Sequence, residues 1–267
     1  MPLAVCATPI GNLEDVTLRV LRELREADLV LAEDTRHTRR LLERHGLQAR
    51  LLSYHEHNEA KRTAELLPRL EGGERVALVT DAGLPGISDP GARLVVAALD
   101  AGVPVTVLPG PSAVETALVA SGLVGGRYEF IGYLPRGERA LLELGDWLAV
   151  SRWPVVAFES PQRLPQSLGV LARVIPDRPG AVCRELTKRF EEVVRGSVSE
   201  LAERFRSPVK GEVTVVLAPA AAAQEEDETA VAAVAELVEA GLSRRHAAEI
   251  VARLTGGSRN RLYRGSL

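Results

Sequence analysis

Short apolar runs alternate with amphipathic stretches over the first half of the chain, a pattern that predicts repeated β-strand and α-helix units. The expected strands are residues 3–8, 29–32, 51–54, 75–80 and 103–108. The stretches between them carry apolar residues at helical spacing. Because strands that alternate with crossover helices run in the same direction, the sequence predicts an α/β domain with a mainly parallel sheet over residues 1–121.

The second half of the chain predicts a mixed sheet. Strands are expected at residues 130–134, 155–159, 181–185, 191–196 and 212–217, interspersed with helices. The polar residues between the third and fourth of these strands indicate a hairpin, so antiparallel pairing is expected there. A glycine-rich stretch, residues 122–127, precedes this half and is typical of a domain linker. We therefore predict a second α/β domain over residues 122–218.

The last part of the chain predicts a small helical module. Residues 219–228 are rich in alanine and acidic residues and are expected to form a linker. Thr229, Ser243 and Ser258 each precede a stretch with helical character and are expected to cap three helices. Short helices joined by tight turns resemble a helix-turn-helix, so we predict such a module over residues 229–267.

Charge is distributed unevenly along the chain. Residues 241–267 carry six arginines and one glutamate, a net charge of +5, whereas the complete chain has a formal net charge of −3. A basic tail on an acidic body favours a polyanionic partner, and Arg244, Arg259 and Arg261 are candidate contacts to its anionic groups. A solvated helical cap would show the same pattern, and this alternative stays open.

The composition is that of a protein with a packed core. The chain has 267 residues, of which 46% are hydrophobic, and this excludes a disordered chain. Its two cysteines, Cys6 and Cys183, lie in expected strands and predict neither a disulfide framework nor a cysteine metal site. The alternating His55 and His57 are more typical of a helix start than of a metal site. Without a basic leader or a long apolar run, we expect a cytoplasmic protein.

Three loops rich in glycine, proline and small polar residues follow three of the expected parallel strands. They are residues 8–13, 81–91 and 109–113. Loops at the carboxyl ends of parallel strands form ligand sites, and these loops offer backbone groups, carboxylates and hydroxyls. They suit a small, polar, mostly neutral ligand such as a nucleoside, and a carboxylate nearby would also favour a cationic group such as a sulfonium. The glycine motifs of dinucleotide and triphosphate sites are absent from the sequence, which argues against a kinase or a dehydrogenase.

The loop motifs, in their order along the chain, carry a family resemblance. Those of the first half are Thr8-Pro9-Ile10-Gly11-Asn12-Leu13, Ala32-Glu33-Asp34-Thr35-Arg36-His37-Thr38, His57-Asn58-Glu59, Asp81-Ala82-Gly83, Ile87-Ser88-Asp89-Pro90-Gly91 and Pro109-Gly110-Pro111-Ser112-Ala113. Those of the second half are Phe158-Glu159-Ser160-Pro161, Arg184-Glu185-Leu186-Thr187-Lys188, Lys210-Gly211-Glu212 and Asn260-Arg261-Leu262-Tyr263. Each motif alone is weak. Together they cover nearly the whole chain, which resembles the bacterial ribosomal RNA small subunit methyltransferase I family of the tetrapyrrole-methylase-like superfamily.

The resemblance implies a two-domain tetrapyrrole-methylase-like fold with S-adenosylmethionine bound in the cleft between the α/β domains. The cofactor contacts that it carries over, largely through backbone groups, are Pro9, Asp81, Gly83, Leu84, Ser112, Ala113 and Phe158. Asp89 is expected to shape its loop. This chain departs from the family at Leu84, where threonine is usual, and at Gly86, where a larger residue is usual. Gln162 also stands where histidine is frequent.

The resemblance further implies 2′-O-methylation of a cytidine in the decoding centre of 16S rRNA, in the small ribosomal subunit, by a homodimer. The 2′-hydroxyl must lose its proton, and Glu33, Asp34 and His37 are the candidate catalytic groups. Glu33 and Asp34 at a helix start are equally typical of plain helix capping. Contacts to RNA phosphates are also expected from Arg36, Arg184, Lys188 and Lys210.

Two other functions are compatible with the sequence. A small-molecule methylase of the same fold would act on a tetrapyrrole, but a substrate of that kind has no need for the basic tail. A non-catalytic RNA-binding assembly protein would keep the fold without the chemistry, but the intact loops for the methyl donor argue against it.

Overall fold

The first half of the protein folds into a five-stranded parallel sheet. The structure, a computed structural model, describes residues 2–255, 257 and 259–266, without the side chains of residues 222–227 and 261. The strands are β1 (Leu3–Cys6), β2 (Leu29–Ala32), β3 (Leu51–Ser53), β4 (Val76–Leu78) and β5 (Val105–Leu108). Their spatial order is β3-β2-β4-β1-β5, and every pairing is parallel. The predicted parallel sheet is confirmed.

Helices cover both faces of this sheet because its strands are apolar on both sides. The helices are α1 (Leu18–Glu26), α2 (Thr35–Arg44), α3 (Glu59–Glu71), α4 (Ala92–Asp100) and α5 (Ala113–Ser121). Leu3 and Val5 of β1 pack in the core beneath α3 and α4, whereas Ala4 and Cys6 pack in the core beneath α1 and α2. This alternation follows from the two-residue period of a strand. It leaves only the strand ends free to form a site.

The second half contains the predicted mixed sheet. Its strands are β6 (Glu129–Tyr133), β7 (Val155–Glu159), β8 (Pro179–Arg184), β9 (Glu192–Ser197) and β10 (Val213–Leu217), in the order β6-β7-β10-β8-β9. Only the β6–β7 pair is parallel among these strands, and β8 and β9 form the expected hairpin. Helices α6 (Glu138–Ala149), α7 (Leu164–Leu171) and α8 (Val198–Arg204) complete this half. Cys6 and Cys183 are buried and free, as predicted.

Helix α5 joins the two halves. Val114, Ala117 and Leu118 of α5 pack against Val156 of β7 and Val216 of β10 in one buried cluster. The helix follows the first sheet in sequence and lies on the second sheet in space. Groups at its two ends therefore have fixed positions relative to both halves.

The C-terminal part is helical over more of its length than the sequence predicts. Its helices are α9 (Ala221–Glu239), α10 (Arg244–Thr255) and α11 (Arg259–Gly265). Thr229 does not cap α9, because α9 already begins at Ala221 and includes most of the expected linker. Alanine and glutamate are among the strongest helix formers, which explains this error. Ser258 lies outside the described residues. No helix in the described ranges is long and apolar enough to cross a membrane.

Candidate active site

A cavity of about 730 Å³ lies where the loops after β1, β4 and β5 meet the second sheet. We call it the main cavity. Six of the seven expected cofactor residues line it: Asp81, Gly83, Leu84, Ser112, Ala113 and Phe158. Pro9 does not line it and faces a neighbouring cavity instead. These residues are far apart in sequence but line one cavity, so the fold brings the predicted loops together.

The loop after β4 folds back onto the loop after β1. The Thr8 N–H donates to the Gly83 carbonyl at 2.8 Å, and the Gly83 N–H donates to the Thr8 carbonyl at 3.1 Å. Gly83 has φ +80° and Gly86 has φ +88°, values that glycine adopts without strain. Glycine at position 86 therefore fits its turn, although it departs from the family pattern. Leu84 lines the cavity and packs partly against the core of the first sheet.

The first turn of α5 forms another wall of the main cavity. Ser112 occupies the N-cap position, but its side chain accepts no backbone hydrogen bond. Its hydroxyl instead donates to the Glu115 carboxylate, which also accepts from the Tyr128 hydroxyl at 2.5 Å. The N–H groups of Ala113 and Val114 have no partner among the described residues. They remain available to a ligand, as is usual for the first turn of a helix.

Carboxylates make the main cavity strongly acidic. Glu33, Asp81, Asp89 and Glu212 all line it. Burial, followed by the charges of Glu33, Asp81 and Glu212, raises the pKa of Asp89 to about 7. Burial and the Asp81 charge likewise raise the pKa of Glu33. A cation placed among these groups would relieve their mutual repulsion. The Asp89 side chain forms no hydrogen bond with the described residues, so its expected role in shaping the loop finds no support.

A second cavity of about 410 Å³ adjoins the first, and we call it the side cavity. Both cavities are lined by Ile10, Asp81, Ala82 and Glu212. His37, Arg40 and Lys188 line the side cavity alone. At the boundary, one Asp81 oxygen accepts the Asp34 N–H at 3.0 Å, and the other lies 3.4 Å from His37 Nδ1. Asp81 therefore lines both cavities and lies within ion-pair distance of the imidazole.

Asp34 and Arg36 are engaged with each other. Asp34 caps α2 by accepting the Arg36 N–H at 2.8 Å, and its carboxylate pairs with the Arg36 guanidinium at 2.6 Å. Hydrogen bonds from the Arg36 side chain and backbone hold the pKa of Asp34 well below its usual range. This geometry supports the capping interpretation of Asp34, because so weakly basic a carboxylate is a poor acceptor of a hydroxyl proton.

The other candidate RNA contacts differ in their availability. Arg184 makes two hydrogen bonds to the Glu192 carboxylate and one to the Lys210 carbonyl, so it stabilises the second sheet. Lys188 lies 2.9 Å from carboxylate oxygens of both Glu185 and Glu212. Burial lowers the pKa of Lys188, but the hydrogen bonds to both carboxylates outweigh burial and raise it. Among the candidates, Arg36, Lys210 and Arg259 are exposed, whereas Arg184, Lys188 and Arg244 are half-buried. The Arg261 side chain lies outside the described part of the chain.

Several residues that line the two cavities were not predicted from the sequence. Glu115, Tyr133 and Glu212 line the main cavity, and Arg40 lines the side cavity. Tyr133 is the last residue of strand β6, and Arg40 lies one helical turn after Arg36. Position within the strand or helix is the one signal in the sequence that could have identified them as cavity residues. No group of three or more potential metal ligands occurs among the described residues, and metal chemistry gains no support there.

Comparisons of sequence place the chain among known proteins. The profile of the Tetrapyrrole (Corrin/Porphyrin) Methylases family matches residues 2–202. The ribosomal RNA small subunit methyltransferase I of Micromonospora olivasterospora is 44% identical over 98% of this chain and 85% of its own length. The protein of the same name from Thermotoga maritima is 46% identical over 80% of this chain and 97% of its own length.

Comparisons of structure agree at the level of the fold. The methyltransferase CobJ has a TM-score of 0.63 at 20% identity, covering 82% of this chain and 94% of its own. Uroporphyrin-III C-methyl transferase from Thermus thermophilus, complexed with S-adenyl homocysteine, has a TM-score of 0.56 at 21% identity. That match covers 81% of this chain and 96% of the other. The chain therefore belongs to the tetrapyrrole (corrin/porphyrin) methylase family, and within it to the ribosomal RNA small subunit methyltransferase I group.

Proposed function

We propose that the protein is an S-adenosylmethionine-dependent methyltransferase that methylates the 2′-oxygen of a cytidine ribose in the decoding centre of 16S rRNA. The observation that carries this proposal is the meeting of two cavities at Asp81, one acidic and one containing His37. One cavity suits a cationic methyl donor and the other suits an acceptor that must lose a proton. The names of the relatives, at 44% and 46% identity, support an rRNA substrate.

The main cavity fits the methyl donor in size and in chemistry. Its volume of about 730 Å³ lies within the range of small-molecule sites, about 300–1,000 Å³. Backbone N–H groups of Ala113 and Val114 suit polar atoms of the nucleoside, and the carboxylates of Asp81 and Asp89 suit the sulfonium. When bound, S-adenosylmethionine supplies an already activated methyl group. The chain itself has to position the acceptor oxygen in line and to remove its proton.

The side cavity provides the groups for the acceptor. Because Nδ1 of His37 lies 3.4 Å from the Asp81 carboxylate, the tautomer with its proton on Nδ1 is favoured, and Nε2 is left to accept the ribose proton. Asp81 then stabilises the imidazolium that forms, because its carboxylate lies 3.4 Å away. Arg40 is exposed on the same side and suits the phosphate next to that ribose. His37 is therefore the base that we propose, in preference to Asp34.

Transfer of label from S-adenosylmethionine to purified small ribosomal subunits tests the proposed function. The expected result is one 2′-O-methyl group on a 16S rRNA cytidine, located by mapping the modified nucleotide. Methylation of a tetrapyrrole in place of rRNA would favour the small-molecule alternative. Absence of transfer together with absence of donor binding would favour the non-catalytic alternative.

Donor affinity is expected to increase with pH through Asp89. Its carboxyl is mostly neutral below about pH 7 and ionised above it, and a sulfonium stabilises the ionised form. Affinity should therefore increase with pH by up to about tenfold per pH unit as pH approaches about 7, and then level off. Titration calorimetry at several pH values measures this slope. S-adenosylhomocysteine, which lacks the positive charge, and the Asp89→Asn variant should both show a flatter profile, and equal slopes would contradict the assignment.

We also propose that the enzyme is a cytoplasmic homodimer. Strand β5 is an edge of the first sheet, and its Val107 is 51% exposed. Val96 and Leu99 of the neighbouring helix α4 are 56% and 58% exposed. Exposed apolar side chains on adjoining elements support a contact between subunits. Light scattering tests the dimer, and a monomer mass at micromolar concentration would contradict it.

A further inference from the structure

A third cavity, of about 850 Å³, lies between the second half of the protein and helix α11. We call it the junction groove. Its walls are residues 122–127, 152–154 and 218–219 together with Asn260 and Arg264 of α11. No residue of the main or side cavity lines it. The groove is therefore a separate feature that the methyl-transfer chemistry leaves unexplained.

The junction groove is basic, although the chain as a whole is acidic. Arg127, Arg152 and Arg264 line it, and none of its described lining residues is acidic. The Arg127 guanidinium lies 5.0 Å from the centre of the Trp153 ring, a cation–π contact that holds both side chains at the groove. Trp153 is half-buried. Arginine guanidiniums and aromatic rings are the groups that proteins use for phosphates and for unpaired bases.

A buried arginine fixes two walls of the groove. Arg178 is 7% exposed and donates to the Leu148 and Ala218 carbonyls and to the Ser151 hydroxyl. Burial lowers its pKa to about 10, so it remains charged near neutral pH. These bonds hold residues 151–154 against residues 218–219. The groove is thus preformed, and a further positive charge lies beneath it.

Helix α5 fixes the groove relative to the main cavity. The first turn of α5 lines the main cavity, and Gly122, at its other end, lines the groove. Nine helical residues separate the two ends, a distance of about 13 Å at 1.5 Å per residue. Tyr128, next to Arg127, donates to Glu115 of the main cavity at 2.5 Å. Any ligand in the groove therefore has a set distance from the donor site.

We propose that the junction groove binds the phosphodiester backbone of the substrate RNA, with Arg127 and Arg264 on phosphates and Trp153 stacked on an unpaired base. This inference rests on the proposed function, because it takes the substrate to be RNA. Arginines from two elements far apart in sequence converge here, so the groove exists only when the C-terminal helices are packed on the body. A second contact beyond the active site would position the acceptor ribose in the side cavity.

Steady-state methyl transfer to small ribosomal subunits tests the groove with the double variant Arg127→Glu/Arg264→Glu. KM for the subunits should rise at least tenfold, whereas kcat and donor affinity should stay within about twofold. Because two phosphate contacts are lost, the slope of log affinity against log salt should fall by about 1.4 to 1.8. The matched control is Arg139→Glu/Arg206→Glu, which makes the same change in net charge at exposed surface ion pairs. Equal changes in KM for both double variants would overturn the proposal.

Tryptophan fluorescence separates failure of the groove from failure of the proposed function. The chain has two tryptophans, so Trp147→Phe leaves Trp153 as the reporter. A short single-stranded RNA should quench this fluorescence, and Arg127→Glu/Arg264→Glu should weaken the binding at least tenfold. If the RNA causes no quenching and the double variant leaves KM unchanged while the wild-type protein still methylates subunits, the proposal of RNA binding in the groove is overturned and the proposed function stands. Absence of transfer by the wild-type protein would overturn the function instead.

Discussion

Replacing His37 with alanine is expected to lower kcat for methyl transfer by about 10²- to 10⁴-fold, the usual contribution of a general base. The imidazole lies in the side cavity with Nδ1 3.4 Å from Asp81, so Nε2 is left to take the proton. Donor affinity should change little, because His37 does not line the main cavity. Single-turnover transfer to ribosomal subunits measures the chemical step, and added imidazole should restore part of the rate.

The Asp34→Asn variant is the control for this assignment. Asparagine caps a helix about as well as aspartate, so α2 should keep its start and its stability. The variant removes the charge paired with Arg36, whose side chain is 83% exposed and regains water. Its kcat should stay within about threefold of the wild type if Asp34 only caps the helix. A loss in Asp34→Asn as large as that in His37→Ala would make Asp34 the base and contradict our proposal.

Replacing Glu159 with alanine is expected to destabilise the protein by about 3 kcal/mol, near the lower end for a broken buried ion pair. The Glu159 side chain is fully buried, pairs with Arg163 at 2.5 Å and accepts from the Ser160 N–H and the Ser167 hydroxyl. Its loss leaves these donors without their partner. The cost stays near the lower end because Arg163 is 26% exposed and regains part of its hydration.

Urea denaturation measures this change in the free energy of unfolding. The matched variant is Glu159→Gln, which keeps an acceptor oxygen for Ser167 and loses only the charge. It should lose less stability than Glu159→Ala. Because Glu159 also lines the main cavity, donor binding should weaken in both variants. A cost below about 1 kcal/mol for Glu159→Ala would show that the buried pair contributes little to folding.

The arrangement of the acidic cavity was partly predictable. The loops after β1, β4 and β5 each follow an apolar run, so each loop can be recognised from its own stretch of sequence. Parallel strands then bring all three loops to one edge of the sheet. This pattern indicated the three loops, whereas Asp81 and Ser112 were named by the family resemblance. The individual role of Ser112 was not predictable, because its hydroxyl donates to Glu115 and leaves the helix N–H groups open.

The surroundings of individual site residues could not be predicted from the sequence. Arg184 was expected to contact RNA, but its guanidinium pairs with Glu192 across the β8–β9 hairpin. Pro9 was expected at the donor, but it faces the side cavity. In each case the decisive neighbour comes from another element. A pattern of residue types along one element carries no information on that neighbour.

The sequence by itself determined the two sheets, the order of the elements and the three loops of the main cavity, because hydrophobic period and turn residues act over a few positions. Only the tertiary structure decided which side chains meet. It separated His37 from Asp34, set Asp81 between two cavities and brought Arg127 to one groove with Arg264. The His37–Asp81 contact depends on the loop after β4 lying beside the start of α2, and the groove depends on α11 lying beside residues 122–127 and 152–154. Packing of this kind is a property of the whole chain, since each contact exists only after distant segments are buried together.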